Sequence, residues 1–500
     1  MAPSGTTQRY VDIPREPPEE RAVQERLHDF QEIADRFSEP EARRQASRCE
    51  QCGVPYCHVY CPLHNNIPDW LRLTAEGRFE EAYRLAESTN NLPEICGRIC
   101  PQDRLCEAKW ACTLEQAGHG TVTIGAVEQF LGDMAFEKGW AHPRLPKVDR
   151  PQHVGIVGAG PAGLAAAEEL RALGYAVTLY DRHGLPGGLL RFGIPGFKLE
   201  KKIIARRGQH VLDAGVRVVG GFALGRDATL AELAAGHDAI LLALGAYRPN
   251  RAVLPGAAEG TLVDGLTYLL ASMQEPGAAL PDGVDPARVD ASGRRVIVIG
   301  GGDTAMDCVR TALRQGCVGV ICLYRRGELD RSGSRRELKK AQAEGVQVLW
   351  QTETELYLPN TITMVEAAAG ACMVDEGGCL VVRRNNAAGR EIERKTIATD
   401  LVISAIGSQP DLPPAYGADG LAADGNGVVQ VDPETGATNL PGVFAAGDLS
   451  RGPSLAVWAI RDGRAAAAGI HGYLNARDGA ASGKSDARGA PELRILAAIP

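Results

Sequence analysis

The sequence predicts an α/β chain in which a helical, cysteine-rich N-terminal domain precedes two nucleotide-binding units. Three observations predict it. Eight of the thirteen cysteines fall between Cys49 and Cys112. Strand alternation is missing from residues 1 to about 150. After that point a strand, a glycine turn, a helix and a second strand follow one another twice, near residues 153–181 and 295–324.

In the N-terminal domain, Glu25–Ala34 and the stretch Ile67–Leu85 carry apolar residues at helical spacing. Its cysteines are expected at turns, beside Pro62, Gly97 and Pro101. A chain of 500 residues is too long for one core and suits about three domains. The composition, 44% hydrophobic and 23% charged, is globular, and a net charge of −8 argues against nucleic acid as a partner. No apolar run approaches the roughly 18 residues that span a bilayer. The segment from Met1 to Gly5 lacks the apolar core of a signal peptide. The expectation is a cytoplasmic protein with no membrane partner. In that compartment thiols stay reduced, and clustered cysteines serve as ligands rather than disulfides.

The first unit begins with the apolar strand His153–Val157 and continues through the helix 161–173 to a strand ending at Asp181. Between strand and helix, Gly158, Gly160 and Gly163 match G-x-G-x-x-G. The first glycine permits the tight turn, the second admits a pyrophosphate, and the third lets helix and strand pack closely. The pyrophosphate faces unpaired N–H groups at the helix N-terminus. Asp181 lies 18 residues past Gly163, near the distance expected of a carboxylate that grips ribose hydroxyls. These features make the unit Rossmann-like.

The second unit repeats the device at Gly300, Gly301, Gly302, Asp303, Thr304 and Ala305, with Ala305 in place of the third glycine. Twenty residues beyond Ala305 stands Arg325, followed by Arg326, where a carboxylate would be expected for NAD(H). Arginine pairs with a 2′-phosphate in bidentate fashion, so this pattern favours NADPH. Arg335 and Arg336 are further candidates. The Pro-, Gly-, Ala- and Asp-rich segment 276–294 reads as a linker or loop. A strand at 400–406 follows, then a strand ending in Gly447-Asp448, and a tail that composition marks as mobile.

The cysteine block contains C-x2-C-x4-C-x3-C-P from Cys49 to Pro62 and C-x3-C-P-x4-C-x5-C from Cys96 to Cys112. Zinc competes for such thiolates, but its sites use paired knuckles separated by a longer spacer. Crowding of cysteines followed by proline is the pattern of ferredoxin-type runs and favours iron–sulfur. Cys308, Cys317, Cys322, Cys372 and Cys379 are scattered and read as small buried apolar residues. No close cysteine pair lies in the nucleotide units, which disfavours a disulfide reductase. H-E-x-x-H, P-loop and G-x-S-x-G motifs are absent, and residue 2 is alanine rather than an N-terminal cysteine nucleophile.

Several long strings carry a family resemblance: Cys49–Cys57, Cys61–Trp70, Glu94–Cys106, Gly193–Lys201, Gly300–Arg310 and Gly442–Gly452. Over roughly residues 25–475 the chain resembles the small (β) subunits of bacterial NADPH-dependent glutamate synthases. That FAD-, NADPH- and iron–sulfur-containing electron-input family is also related to the N-terminal half of dihydropyrimidine dehydrogenase. The resemblance implies a helical iron–sulfur domain at 1–150 and an FAD domain of the glutathione reductase type at 151–286 and 408–475. An NADPH domain at 287–407 interrupts the FAD domain, and a flexible tail occupies 476–500. It implies FAD on Gly158, Gly160, Gly163, Asp181, Gly188, Gly447 and Asp448. NADPH is implied on Gly300, Gly302, Asp303, Thr304, Ala305, Arg325 and Arg326.

Two [4Fe–4S] clusters with interleaved ligands are implied as well. Cys49, Cys52, Cys57 and Cys112 hold one, and Cys61, Cys100, Cys106 and Glu128 the other, with Cys96 outside both sets. The sequence departs from the family pattern twice. Five residues rather than three separate Cys106 from Cys112, and Asp330–Arg335 stands where the family shows Met-Pro-Gly-Ser. The implied partner is the glutamate synthase large (α) subunit with its FMN, which forms L-glutamate from 2-oxoglutarate and L-glutamine. Alternatives are a β-like subunit feeding ferredoxin or a pyrimidine-reducing partner, and a zinc-bound interaction protein. No residue is expected to act as general acid or base, since hydride transfer belongs to the cofactors and alignment to the protein.

Overall fold

The computed structural model describes residues 7–481 apart from 259, 274, 281–283, 360–376, 387 and 413–419. The longer helices of the N-terminal domain are α1 (Glu39–Ala46), α2 (Ile67–Glu76), α3 (Phe79–Glu87), α4 (Pro93–Ile99) and α5 (Ile124–Glu137). They close on a core that includes Trp70, Leu71, Phe130 and Leu131. Gly77, in the left-handed region at φ 82°, caps α2 and divides the 67–85 stretch into two helices. The helix expected at 25–34 is reduced to Val23–Arg26. There the Ile33 N–H donates to the Phe197 carbonyl (3.2 Å) and the Ile33 carbonyl accepts from the Arg21 N–H (2.9 Å). Backbone groups committed to such partners cannot close helical turns. Two cysteines expected at turns sit in short helices instead, Cys96 in α4 and Cys57 in Tyr56–Val59.

Helices α4 and α5 touch backbone to backbone. A Cβ on Gly97 would stand 2.4 Å from the Gln129 nitrogen, and one on Gly132 would stand 2.6 Å from the Glu94 nitrogen. Glycine alone permits that approach, and the approach brings Cys96 and Cys100 beside Glu128.

The first sheet is built from β1 (His153–Val157), β2 (Ala176–Asp181), β3 (Arg217–Gly220) and β4 (Ala239–Leu242), with α6 (Pro161–Ala172) and α7 (Lys201–Asp213) between them. The second contains β5 (Leu262–Asp264), β6 (Arg295–Ile299), β7 (Gly319–Tyr324), β8 (Gln347–Trp350) and β12 (Leu401–Ser404). Its helices are α8 (Asp303–Arg314) and α9 (Arg335–Ala343). An antiparallel layer of β9 (Thr352–Pro359), β10 (Gly378–Asn385) and β11 (Glu391–Thr399) lies between β8 and β12 in the chain. The chain then returns to the first sheet with β13 (Val443–Ala445) and ends in α10 (Ala456–Ala481). Strand orders are β13-β4-β1-β2-β3 and β5-β12-β6-β7-β8, and every pairing in both is parallel. The crossover helices cover the sheets, as parallel sheets require.

Two expected boundaries move. Strand β5 pairs with Val402–Ser404 in the second sheet, so that half recruits chain ahead of residue 287. Of the stretch read as a linker, the start meets the first half, where the Gly184 N–H donates to the Gly277 carbonyl (2.7 Å), and the end packs Val289 and Ala291 into the core of the second. Loops and linkers share one composition, and only the partner distinguishes them. Helix α10 continues to Ala481 through the first residues of the expected tail, and residues beyond it lie outside those described. Among the described residues no helix is long and apolar enough to cross a membrane.

Buried ion pairs join the parts. Arg207 of α7 forks onto Glu94 of α4 with two bonds of 2.9 Å and reaches Glu168 of α6 at 3.2 Å. Phe197, from the first half, lies under the guanidinium groups of Arg310 and Arg314 of α8, at 4.5 and 4.1 Å from its ring centre. Cys308 and Cys322 are buried and Cys317 half-buried. Cys379 is buried as expected, and it is disulfide-bonded. Cys372 lies outside the described residues.

Candidate functional site

At the first glycine turn the backbone leaves no room for side chains where the fold is tight and leaves the floor open where a ligand would lie. A Cβ on Gly158 (φ 112°) would stand 2.1 Å from the Ala243 carbonyl oxygen, and one on Gly163 only 1.9 Å from that of Gly158. At Gly160 nothing but the Gly188 Cα comes near, at 3.9 Å. Gly160 and Gly188 thus form a bare floor at the N-terminus of α6, where N–H groups favour a phosphate. Gly163→Ala places a methyl group against a fixed carbonyl, and the variant is expected to purify largely without flavin. The flavin-to-protein absorbance ratio checks this, and full occupancy would refute it.

Asp181 is buried at the end of β2, and burial holds its pKa above the usual carboxylate range. Its oxygens accept from the Ala159 N–H (2.6 Å) and the His183 N–H (2.8 Å), so it braces the glycine turn from within. Gly447 (φ 69°) opens a short helix against Ala162 of α6, and Asp448 accepts from the N–H and hydroxyl of Ser454 at 3.0 and 2.9 Å. Burial pushes Asp448 up to about 6.

The second turn has the same architecture. A Cβ on Gly300 (φ 148°) would meet the Ala405 carbonyl oxygen at 2.3 Å, and one on Gly301 the Tyr324 ring at 2.3 Å, whereas Gly302 is clear to 3.5 Å. Ala305 is fully buried, so this turn accommodates the methyl group that the first excludes. Asp303 accepts from the Ser334 N–H at 2.8 Å, and Thr304 begins α8 beside it. Arg325 and Arg326 follow β7 directly, are exposed, and make no side-chain hydrogen bond or ion pair among the described residues. Arg335 is likewise exposed. Arg336 is committed elsewhere, donating to Gln102 Oε1 at 2.9 Å and to the Cys100 carbonyl at 3.4 Å.

One cavity of about 320 Å³ is bordered by both turns. Gly160, Asp181 and Asp448 line it from the first half, Asp303 and Thr304 from the second, and Pro101 from the cysteine domain. Lys198 and Asp307 also face it and were not singled out by sequence reasoning. Lys198 Nζ donates to Asp307 at 2.9 Å across the two halves. Burial works against this ammonium, but Asp307 and Glu337 outweigh it and hold its pKa above the ordinary lysine value. Spacing carries a signal for Asp307, which stands one helical turn after Asp303 on the same face of α8.

The eight cysteines of the N-terminal block are free thiols and fall into two neighbourhoods. Burial pushes Cys49 up to about 12, and Cys52 and Cys112 add to the shift. Cys57 rises through burial and the fields of Cys49, Cys112 and Cys52. Cys112 reaches this group despite the longer gap because residues 108–112 coil into a turn, the Cys112 N–H donating to the Ala108 carbonyl at 3.1 Å. In the second neighbourhood, burial pushes Cys61 up to about 12, with contributions from Glu128 and Cys96. Cys100 is raised by its hydrogen bond to Cys96, by burial, and by Glu128 and Cys106. Cys106 is raised by burial, with Glu107, Cys61 and Glu128 adding to it.

Glu128 accepts one bond, from Asn90 Nδ2 at 2.9 Å, and burial lifts it to about 8. A desolvated carboxyl with one neutral partner among three thiols is a donor set that suits a cationic metal core. Cys96 is a neighbour of this group too, with its thiol 3.7 Å from Asn90 Oδ1. Among the described residues no three ligating side chains converge on a point where a single ion would sit. The glycine floors and the two thiol groups therefore fit dinucleotides and iron–sulfur clusters respectively.

Fold and site together define a flavin- and nicotinamide nucleotide-dependent oxidoreductase with an iron–sulfur domain. Residues 26–140 match the family described as dihydropyrimidine dehydrogenase domain II, 4Fe-4S cluster, and residues 152–463 match pyridine nucleotide-disulphide oxidoreductase. The glutamate synthase [NADPH] small chain of Azospirillum brasilense is 49% identical, over 94% of this chain and 96% of that one. Its namesake in Escherichia coli K12 is 40% identical, over 93% and 98%. Among solved structures, FprA of Mycobacterium tuberculosis in complex with NADPH shares the fold, with a TM-score of 0.52, 20% identity, and coverage of 66% of this chain and 86% of that one. The chain belongs to the glutamate synthase small-chain family, whose cofactors are FAD, a nicotinamide nucleotide and 4Fe–4S iron–sulfur centres.

Proposed function

We propose that the chain is the electron-input subunit of a glutamate synthase, taking electrons from NADPH and delivering them to a large subunit. That partner, which holds FMN, forms L-glutamate from 2-oxoglutarate and L-glutamine. The observation that carries this reading is a cavity bordered by both glycine turns and by Pro101, the residue after Cys100. FAD would rest on Gly158, Gly160, Gly163, Gly188 and Gly447, with Asp181 and Asp448 beside it. NADPH would rest on Gly300, Gly302, Asp303, Thr304 and Ala305, with its 2′-phosphate on Arg325 or Arg326. Two [4Fe–4S] clusters would be held by Cys49, Cys52, Cys57 and Cys112, and by Cys61, Cys100, Cys106 and Glu128. When bound, these groups supply hydride acceptance and one-electron carriage.

The chain's own residues do the rest. The glycine floors admit the two dinucleotides to one cavity. The Lys198–Asp307 pair ties the halves across it, and the α4–α5 contact sets the second thiol group at its edge. The layout 1–150, 151–286 with 408–475, and 287–407 corresponds to this division of labour, with β5 joining the nucleotide half.

The test combines anaerobic spectra with reconstitution. The purified chain should show flavin peaks over a broad brown absorbance that NADPH bleaches, and with the large subunit it should oxidise NADPH only when glutamine and 2-oxoglutarate are present. A colourless zinc protein would overturn the reading. Replacing Arg325 and Arg326 together by alanine removes charge-assisted bonds worth about 1.5–3 kcal/mol each, so KM for NADPH should rise at least about tenfold. The KM for NADH should barely move, and equal losses for both nucleotides would refute the 2′-phosphate role.

A further inference from the structure

The segment 332–336, which follows the second glycine turn in space, grips the cysteine domain at Cys100–Arg104. Ser334 is the hinge of this contact. Its N–H donates to Asp303 Oδ1 of the glycine turn (2.8 Å), and its hydroxyl donates to Asp103 Oδ1 (3.2 Å). From the other side, Arg104 Nη1 donates to the Ser332 carbonyl (2.7 Å). Two residues on, Arg336 donates to Gln102 Oε1 (2.9 Å) and to the Cys100 carbonyl (3.4 Å). Gln102 is buried and passes the contact onward, donating from Nε2 to the carbonyls of Gly97 (2.9 Å) and Cys96 (3.2 Å) at the end of α4. Gly333 packs directly on the glycine turn, where its Cβ would stand 3.0 Å from the Gly302 carbonyl carbon. Asp303, Ser334, Arg336 and Pro101 all face the same cavity.

A short, fully bonded path therefore runs from the backbone that receives a nucleotide phosphate to the backbone of a thiol ligand. It includes a guanidinium, which stays charged at any working pH. This group points its Nη atoms at the Cys100 segment and keeps Glu337 on its far side, with Nε 3.7 Å from Glu337 Oε1. The potential of an iron–sulfur centre follows its net charge, its hydrogen bonds and its solvent exposure. A fixed positive charge beside the ligand segment favours the more negative, reduced state.

We propose that Arg336 is a positioning residue through which the second nucleotide half sets the potential of the cluster at Cys100, and that nucleotide occupancy changes this setting through Asp303 and Ser334. The inference rests on the reading that Cys61, Cys100 and Cys106 hold a cluster.

The experiment is an EPR-monitored redox titration of the purified holoprotein, with and without saturating 2′,5′-ADP. That fragment carries the 2′-phosphate and cannot accept a hydride. In the wild type one cluster should change its midpoint or line shape when 2′,5′-ADP binds. Arg336→Gln should lower the midpoint of that cluster by about tenfold in its reduction equilibrium, or about 59 mV for a one-electron centre. It should also abolish the response to 2′,5′-ADP, while Arg336→Lys retains most of the midpoint. Ser334→Ala, which keeps the charge but loses the Asp103 contact, should blunt the response with little change in the resting midpoint. It tests the coupling should Arg336→Gln lose its cluster during purification. A cluster-bearing Arg336→Gln with wild-type midpoint and response, or a wild type indifferent to 2′,5′-ADP, would overturn the inference. Absence of iron from the wild type would instead overturn the cluster assignment on which it rests.

Discussion

On the proposed ligand sets, Cys106→Ala is expected to purify with about half the iron and acid-labile sulfide of the wild type, since one of the two proposed four-iron centres loses a thiolate. Cys106 is buried beside Cys61 and Glu128, and its removal opens the second thiol group while leaving Cys49, Cys52, Cys57 and Cys112 intact. Electron delivery to the large subunit should fall to background while bleaching of the flavin by NADPH persists. The control is Cys96→Ala. If Cys96 stands outside both ligand sets, that variant keeps its full iron content, although its thiol lies in the same group, 3.7 Å from Asn90 Oδ1. Should Cys96→Ala lose iron and Glu128→Ala keep it, the fourth ligand is Cys96 and the carboxylate assignment falls.

The second large effect is on stability. Arg207→Ala strips the guanidinium from two buried carboxylates, Glu94 at two contacts of 2.9 Å and Glu168 at 3.2 Å, and leaves Glu168 a neutral partner in Asn91 Nδ2 at 2.8 Å. Removing one member of a buried ion network costs about 3–5 kcal/mol, because the charges left behind are neither solvated nor paired. Glu94 belongs to the cysteine domain, whereas Arg207 and Glu168 belong to the first nucleotide half. The loss should therefore show as early release of the N-terminal domain in urea, read by protease cleavage ahead of β1 together with the unfolding midpoint. Replacing Arg207, Glu94 and Glu168 together by apolar residues of similar volume should recover most of the stability. A loss below about 1 kcal/mol for Arg207→Ala would mean that water reaches the site and solvates the carboxylates.

Much of the fold was legible because local signals there agree with the tertiary ones. Strands β1 and β6 fall where their apolar runs place them, and each is followed by a glycine turn whose clearances only glycine or a small residue meets. The paired arginines after β7 stand exposed and make no side-chain hydrogen bond or ion pair among the described residues. Other parts misled for identifiable reasons. The apolar residues of 25–34 have helical spacing, but Phe30 meets the Phe197 ring and the Ile33 N–H its carbonyl, and spacing records burial without saying which element buries it. The Pro- and Gly-rich stretch near 277 resembles a linker because loops and linkers are built from the same residues. Lys198 and Gln102 stood inside recognisable strings and Arg336 among the phosphate candidates, but the contacts they make come from partners on another domain, which no local pattern records.

By itself the sequence determined the chemistry available: two glycine turns with a pair of arginines after the second, each encoded within some twenty to thirty contiguous residues, and a block of eight cysteines between residues 49 and 112. Tertiary structure alone decided which of these meet. It sorted the interleaved cysteines into two neighbourhoods, set Glu128 beside one of them through the glycine-lined crossing of α4 and α5, and diverted Arg336 from phosphate to the Cys100 segment. The physical reason is range. A turn or a cap is fixed by atoms a few bonds apart, whereas the environment of a ligand depends on helices and loops distant in sequence that pack together only when the chain closes.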